Sequence, residues 1–291
     1  RLFIKDFTLE HKLSYYNVRA HEGLMRNVVI RCNGKGEFMV IVVINEENDL
    51  VRNVMIPELQ KRFPEIISIM LVINNKFNDI ITDLPFENVY GEECLIETMK
   101  APREGHDDLK FRVGPVSFFQ TNVYQGERLY KAAFDLADVQ GDELMYDLYT
   151  GTGTIALYFA RFVKKVVGVE YVEEAIADAK INSEFNNINN VKFYAGDMAK
   201  VFTDEFIESN GRPDLVVTDP PRAGMHEKVV EQLLKIQPKK IVYISCNPAT
   251  QARDLQLLDA KYEVKAVQPV DMFPHTHHVE NIVLLELKVE N

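Results

Sequence analysis

Two short turns carry most of the reactive side chains in this chain. The apolar run 241–245 leads directly into Cys246, and a cysteine thiolate is a strong nucleophile. The apolar run 215–218 leads into a double proline that is flanked by the carboxylate of Asp219 and the guanidinium of Arg222. Because proline fixes the backbone, this turn holds both charged groups in a defined place. If the two runs are parallel strands of one sheet, the nucleophile and the charged groups meet at the same edge.

A glycine turn indicates a cofactor that contains a nucleoside. The sequence DLYTGTG at 147–153 joins an apolar run to a helical pattern, and its glycines let the backbone approach a ligand. Glu170 ends the next run, where a carboxylate can accept both hydroxyls of a ribose. The third glycine of the dinucleotide fingerprint and a phosphate-binding lysine are both missing, which favours S-adenosylmethionine over NAD or FAD. Asp197 suits two roles equally, as an acceptor for an adenine amino group or as a helix N-cap.

Strands and helices alternate from residue 112 onward, which predicts an α/β domain over 112–291. This alternation is typical of a doubly wound parallel sheet that is covered on both faces. Such a sheet binds its ligand beyond the carboxyl ends of its strands. The predicted strands are 144–148, 165–169, 191–194, 215–218, 241–245, 262–270 and 282–287, and the predicted helices are 124–137, 155–162, 172–186 and 226–236.

Residues 1–111 have a different pattern, which predicts a small α+β domain, and its basic first 35 residues are a candidate surface for RNA contact. Asn33, Gly34 and Gly36 separate two β-rich runs and form a hairpin signal. The segment 101–108 has the composition of a connector, so we place the domain boundary near Arg112. The predicted strands are 27–31, 38–44, 66–73 and 89–99, and one helix is predicted over 56–63.

Composition excludes several classes of protein. Of the 291 residues, 46% are hydrophobic and 26% are charged, which excludes a disordered or collagen-like chain. The three cysteines are far apart and odd in number, so they form neither a disulfide framework nor a zinc site, and we expect a cytoplasmic protein. No apolar run approaches the roughly 20 residues of a membrane helix. The chain does not begin with methionine, from which we expect a fragment or a processed product.

The charge distribution bears on RNA binding. The net charge of −11 argues against a general nucleic-acid binder, because phosphate contacts need clustered lysine and arginine. The first 35 residues nevertheless hold seven basic and three acidic side chains. This stretch fits a phosphate-facing surface and an ordinary solvated face equally well.

Five motifs, in this order along the chain, resemble those of the RNA uracil carbon-5 methyltransferases. The resemblance covers about residues 112–291, and residues 15–31 are similar, less specifically, to the central domain of that family. The family includes 23S rRNA (uracil-5-)-methyltransferases and the tRNA (uracil-54) enzyme. The motifs are SFFQTN at 117–122, DLYTGTG at 147–153, DPPRAG at 219–224, SCNPATQARD at 245–254 and DMFPHTHHVE at 271–280.

The resemblance implies a Rossmann-like S-adenosylmethionine-dependent methyltransferase domain and a role for each matched residue. Cys246 matches the nucleophile of the family, and Glu280 matches the base that abstracts a proton. Thr150 departs from the pattern, because the family usually has cysteine beside this first glycine, but the change in volume is small. The S-adenosylmethionine contacts of the family match Gln120, Tyr149, Glu170 and Asp219, with Asp197 as a further contact to adenine.

The implied reaction needs an ionised cysteine. The thiolate of Cys246 adds to carbon 6 of uracil, carbon 5 then takes the methyl group, and Glu280 removes the proton left on carbon 5. A free thiol has a pKa of about 8.5, so a nearby positive charge would help. The sulfonium of the cofactor and Arg253 are the candidates for that charge, and deprotonation coupled to addition is the alternative. Arg222 has two candidate roles, neutralising the enolate or contacting phosphate.

Other readings of the same residues are less well supported. RNA cytosine carbon-5 methyltransferases usually have a cysteine directly after the Asp-Pro-Pro element, and amino-group methyltransferases have an aromatic residue there, whereas this chain has Arg222. A dehydrogenase has only the glycine turn in its favour. A non-catalytic RNA-binding remnant would not need both Cys246 and Glu280. The clustered His275, His277 and His278 suggest a metal site, but the motif explains them as local scaffold.

The RNA substrate is less well defined than the reaction. We expect 23S rRNA, because the region before residue 112 resembles the multidomain ribosomal enzymes, and tRNA is the alternative. Many family members also carry an OB-like RNA-binding domain and a four-cysteine iron-sulfur site. An iron-sulfur cluster is expected only if its ligands lie upstream of this chain. We expect a monomer with no membrane partner and no metal of its own.

Overall fold

The structure, a computed structural model, describes residues 1–289 and divides into two compact units. One unit contains Arg1–Glu97 and Arg112–Ser117, and the other contains Thr98–Phe111 and the rest of the chain from Phe118. The predicted domain boundary at residues 111 and 112 stays a prediction. No helix within residues 1–289 combines the length and the apolar character that crossing a membrane requires.

The first unit is a four-stranded sheet with helices. Its elements are α1 (Leu2–Glu10), β1 (Met25–Cys32), β2 (Phe38–Ile44), a π-helical turn (Val51–Met55) that continues into α2 (Ile56–Arg62), β3 (Ile66–Ile73) and β4 (Glu87–Gly91). The sheet order is β1-β2-β3-β4. Strands β1 and β2 are antiparallel neighbours across residues 33–36, which confirms the predicted hairpin. Strands β2 and β3 are parallel, because the helical segment between them returns the chain to the same end of the sheet.

The second unit is built on a seven-stranded sheet. Its strands are β7 (Leu144–Leu148), β8 (Lys165–Glu170), β9 (Val191–Ala195), β10 (Leu215–Thr218), β11 (Lys240–Ser245), β12 (Tyr262–Val270) and β13 (Glu280–Leu287). Its helices are α3 (Val123–Ala137), α4 (Thr154–Ala160), α5 (Glu173–Phe185), α6 (Met198–Val201), α7 (Asp204–Asn210), α8 (Glu227–Ile236) and α9 (Pro248–Leu258). The strand order is β12-β13-β11-β10-β7-β8-β9. The order reverses between β7 and β10, which is where such sheets bind their ligands.

Two sequence predictions about strands were wrong. The sheet is not wholly parallel, because β13 runs antiparallel to both β11 and β12. The nine residues between β12 and β13 are too few for the crossover that parallel strands need, so the chain can only turn back. The predicted strand 89–99 is two strands, since Gly91 has a φ of 73° and ends β4. The second strand, β5 (Leu95–Met99), pairs with β6 (Leu109–Val113) in a separate two-stranded sheet.

Candidate active site

The glycine turn after β7 has one open glycine and one packed glycine. Both adopt the left-handed conformation, with φ of 54° at Gly151 and 80° at Gly153. A Cβ built on Gly153 would lie 3.0 Å from side-chain atoms of Ala179 and Phe193, so this glycine is required for packing. A Cβ on Gly151 would meet nothing within 4 Å. The backbone at Gly151 is therefore open to the approach of a ligand.

Glu170, the last residue of β8, is anchored by backbone N–H groups. Its Oε2 accepts from the N–H of Gly151 at 3.0 Å, and its Oε1 accepts from Tyr171 at 2.8 Å and Val172 at 3.0 Å. A carboxylate has about four lone-pair positions, so it can accept further hydrogen bonds from a ligand. The structure thus brings the predicted ribose-binding acid directly against the glycine turn.

Asp147, at the carboxyl-terminal part of β7, is a fully buried carboxyl group. Burial and, to a smaller extent, the charge of Glu170 raise the pKa of Asp147 to about 7, although a hydrogen bond from Thr150 acts in the opposite direction. The Thr150 hydroxyl donates to Oδ2 at 2.5 Å, whereas Oδ1 has no partner among the described residues. Thr150 therefore has a defined role in this turn, although the family usually has cysteine there.

Gln120 and Tyr130 form a second buried group beside the carboxylates. The Gln120 side chain hydrogen-bonds the hydroxyl of Tyr130, which lies on α3 and is 4% exposed. Burial raises the pKa of Tyr130 strongly, and the nearby charge of Asp219 raises it further. Sequence reasoning missed Tyr130, because a tyrosine on the apolar face of a predicted helix looks like an ordinary core residue.

Asp219 follows β10 and lies among other acids. Burial raises the pKa of Asp219 well above its usual range, and the charges of Glu280 and Asp147 act in the same direction. The predicted turn of Asp219 and the double proline therefore places its carboxyl near Glu280, at the start of β13. Tyr149 has a φ of 66°, and burial raises the pKa of its hydroxyl.

Cys246 and Glu280 come from neighbouring antiparallel strands. Ser245 of β11 pairs with Asn281 of β13, and Cys246 and Glu280 each lie one residue beyond this pair. Both side chains are partly buried. Burial raises the pKa of the Cys246 thiol, and the charges of Glu280 and Asp219 raise it further. Burial also raises the pKa of Glu280. The structure thus brings a thiol and a carboxyl group together where β11 ends and β13 begins.

Arg222 is the basic group near the Cys246 thiol, and its effect on the pKa of the thiol is opposite to that of Glu280 and Asp219. The positive charge of Arg222 lowers the pKa of the Cys246 thiol, and its Nη2 lies 3.2 Å from Nε2 of His278. Arg253, which the sequence offered as a candidate for this charge beside the sulfonium, is not among the groups that shift the pKa of Cys246. Its guanidinium donates instead to Asp254 and to the carbonyl of Ala223, because those acceptors lie within its reach.

Asp254 holds the double-proline turn against β11. This carboxylate is 1% exposed and accepts from the backbone of Met225 at 2.8 Å and from the Tyr243 hydroxyl at 2.7 Å. Gly224, with a φ of 81°, packs so closely that a Cβ would lie 2.7 Å from Oδ2 of Asp254. Sequence reasoning missed this role, although Asp254 lies within the SCNPATQARD motif. Asp254 therefore fixes the turn that carries Arg222.

Asp197 occupies the N-cap of α6. Its Oδ1 accepts from the N–H of Ala199 at 3.0 Å, and Oδ2 lies 3.4 Å from the ammonium of Lys200. Of its two candidate roles, the cap is the one for which the structure has contacts, and the adenine contact stays a prediction. Within residues 1–289 no three His, Cys, Asp or Glu side chains are grouped so that they could hold a metal ion.

Comparisons with known proteins place these motifs in a family. A profile described as tRNA (uracil-5-)-methyltransferase matches residues 93–288. An uncharacterized RNA methyltransferase of Bacteroides thetaiotaomicron is 54% identical over 98% of this chain and 62% of that protein. One from Porphyromonas gingivalis is 49% identical over 100% of this chain and 62% of that protein. The chain thus spans about three fifths of the length of these curated relatives.

Solved structures agree with this match. Pyrococcus abyssi tRNA (uracil-54, C5)-methyltransferase, in complex with S-adenosyl-L-homocysteine, superposes with a TM-score of 0.78 and 34% identity over 97% of this chain and 65% of that one. The M. jannaschii tRNA m1G37 methyltransferase has a TM-score of 0.55 and 14% identity over 99% of this chain and 79% of that one, and shows the fold alone. The predicted Rossmann-like methyltransferase fold is confirmed. The resemblance seen in the five motifs is confirmed as well, and the chain belongs to the tRNA (uracil-5-)-methyltransferase family.

Proposed function

We propose that this chain methylates carbon 5 of a uridine in RNA through a covalent bond between Cys246 and the base. The main support for the proposal is the position of Cys246 and Glu280. Each lies one residue beyond Ser245 and Asn281, the last pair of β11 and β13. Methylation at carbon 5 needs two groups in one site, a nucleophile that activates the ring and a base that later removes a proton. The thiol and the carboxyl group at this strand end are of those two types.

S-adenosylmethionine is the proposed methyl donor. Its sulfonium supplies an electrophilic methyl group to the activated carbon 5. The residues present fit such a ligand, because Gly151 leaves the backbone open and Glu170 has further acceptor capacity for ribose hydroxyls. Support also comes from the Pyrococcus abyssi enzyme, whose crystal structure is a complex with S-adenosyl-L-homocysteine. We assign its binding to Gln120, Tyr149, Glu170, Asp197 and Asp219.

Cys246 starts the proposed reaction. Its sulfur forms a bond to carbon 6, the carbon 5–carbon 6 double bond opens, and the electron pair spreads over carbon 5 and the carbonyl oxygen at carbon 4 as an enolate. The thiol first has to lose its proton, and the burial that raises the pKa of Cys246 opposes this. Arg222 favours the thiolate, since the positive charge of a nearby guanidinium stabilises the negative charge on the sulfur.

Glu280 completes the reaction. Once carbon 5 carries the methyl group, it also retains its original hydrogen, and Glu280 takes this hydrogen as a proton. The electrons of that bond re-form the double bond to carbon 6, and the bond to the Cys246 sulfur breaks. The products are 5-methyluridine and the free thiolate. Asp219 and the double-proline turn shape the pocket for a base that has left its stack.

A more specific proposal concerns which RNA is the substrate. We propose a uridine of 23S rRNA, as the region before residue 112 led us to expect. A tRNA is the second candidate. The Pyrococcus abyssi tRNA (uracil-54, C5)-methyltransferase aligns over 97% of this chain and thus includes that region. The two are distinguished by comparing methyl incorporation into purified 23S rRNA and tRNA from a strain that lacks the protein. A monomeric state and a cytoplasmic location stay predictions.

Substitution of the nucleophile tests the proposed function. In the full-length natural protein, Cys246→Ala should abolish both methyl transfer to RNA and the covalent RNA adduct. Cys94→Ala, at another partly buried cysteine, is the matched control and should retain activity. Labelled methyl transfer and denaturing gels measure both readouts. Methylation by the Cys246→Ala protein would refute the covalent mechanism. If the wild type methylated neither 23S rRNA nor tRNA, the proposed function would be refuted.

A further inference from the structure

Gln251 is a buried amide whose polar atoms are all occupied. It lies on α9, the helix that begins directly after Cys246, and it is 1% exposed. Its Nε2 donates to the carbonyl of Tyr243 at 2.9 Å and to the carbonyl of Asn281 at 3.1 Å. Its Oε1 accepts from the side-chain amide of Asn281 at 2.7 Å. One side chain thus links the end of β11 to the start of β13.

This link lies where backbone pairing between the two strands ends. Ser245 with Asn281 is the last pair of β11 and β13. Beyond it, Cys246 continues into α9, and Glu280 pairs only on its other side, with Val270 of β12. The side-chain amide of Gln251 therefore supplies hydrogen bonds that connect the start of β13 to α9, the helix that follows Cys246.

Resting on the proposed function, we propose that Gln251 is a positioning residue that sets Glu280 relative to Cys246 and so controls the proton-abstraction step. The positions of Cys246 and Glu280 depend on Gln251 to different degrees. Cys246 is held by the backbone of β11 and by Asn247, which caps α9 through the N–H of Ala249. Asn281, the neighbour of Glu280, takes part in two of the three hydrogen bonds of Gln251, accepting one through its carbonyl and donating the other through its side-chain amide. Loss of the amide should therefore move the base more than the nucleophile.

The test substitutes Gln251→Met in the full-length natural protein, which keeps the length of the side chain and removes its hydrogen bonds. Gln256→Met is the matched control, because Gln256 lies on the same helix with an exposed side chain. Two substrates separate the steps. Natural RNA requires proton abstraction, whereas 5-fluorouridine RNA traps the adduct without it, since fluorine cannot leave carbon 5 as a cation.

We expect Gln251→Met to form the 5-fluorouridine adduct at a rate near that of the wild type. On natural RNA its turnover should fall by about 10- to 100-fold, because misplacing a catalytic group by even 1 Å has effects of this size. A methylated, covalently linked RNA complex should accumulate at the same time. Asn281→Ala removes one of the hydrogen bonds and should give a weaker form of the same accumulation.

Three outcomes would overturn the proposal. Unchanged turnover would show that the amide has no role, and reduced turnover without accumulated adduct would place the defect at another step. An equal loss of turnover and of 5-fluorouridine adduct would reveal a purely structural role. If the wild type itself formed no 5-fluorouridine adduct, the proposed function would fail first, and this inference would fail with it.

Discussion

The backbone N–H of Gly151 donates to Oε2 of Glu170 at 3.0 Å, so the glycine turn and the acid of the neighbouring strand form one hydrogen-bonded unit. The two residues are 19 positions apart in sequence. Their contact lies at the carboxyl ends of β7 and β8, and it fixes the carboxylate where the open backbone of Gly151 admits a ligand.

Removing the Glu170 carboxylate should weaken cofactor binding. Glu170→Ala deletes a charged acceptor for ribose hydroxyls, so we expect a loss of about 1–3 kcal/mol in the binding of S-adenosylmethionine. Calorimetric titration measures this loss, with Glu174→Ala on the exposed face of α5 as the control. Equal affinities for wild type and Glu170→Ala would remove Glu170 from the cofactor site.

Glu280→Gln should separate the two halves of the reaction. The amide keeps the shape of the side chain but cannot accept the carbon 5 proton, so a methylated, covalently linked complex should accumulate. A denaturing gel with labelled methyl donor would show it as a slowly migrating radioactive band. Glu286→Gln, toward the other end of β13, should turn over normally. Normal turnover by Glu280→Gln, with no trapped complex, would exclude Glu280 as the base.

Arg222 should control the pH dependence of adduct formation. Addition needs the thiolate, and burial raises the pKa of Cys246, so the rate should rise as pH increases toward and beyond neutrality. Arg222 lowers that pKa, so Arg222→Met should move the rising limb to higher pH. At neutral pH the adduct rate should then fall by about 10-fold for each unit by which the pKa rises. Rates with 5-fluorouridine RNA between pH 6 and pH 10 measure the shift. Superimposable profiles would contradict this role for Arg222.

Asp147→Asn should stabilise the fold at alkaline pH. The folded pKa of Asp147 is about 7 and its ordinary value is 3.8, so the folded state binds the proton more tightly than the unfolded state. The stability of the wild type should therefore fall as pH rises from about 4 to about 7. Asparagine removes this penalty and can still accept from Thr150. Thermal unfolding should show a larger gain at pH 8 than at pH 4.5, and an equal gain at both would contradict the linkage.

Local patterns were sufficient for most strands of the second unit. Strands β7, β10 and β12 begin and end at the predicted residues, because buried apolar runs there are bounded by turn residues. The direction of β13 was missed, since an apolar run reads the same in a parallel and an antiparallel strand. Only the short connection between β12 and β13 indicated that β13 runs antiparallel to its neighbour.

The site was less completely predictable than the fold. Cys246, Asp219 and Glu170 stand at strand ends, where side-chain type and position together suggest chemistry. Tyr130 and Gln251 lie inside helices, and helical spacing does not specify which buried partner a polar side chain meets. Their roles depend on tertiary packing, so the sequence alone contained no signal for either of them.

The place of β13 within the sheet has a consequence for synthesis on the ribosome. This strand is the last of the sheet to be made, yet it lies between β12 and β11 and carries Glu280. During synthesis, Cys246 leaves the exit tunnel before residues 280–287 do. At that stage the nascent chain lacks β13 and, with it, the proposed base Glu280. In the proposed mechanism such a chain could not release an RNA bonded to its sulfur. In the proposed mechanism, insertion of β13 therefore adds the base in the same step that places the inner strand between β12 and β11.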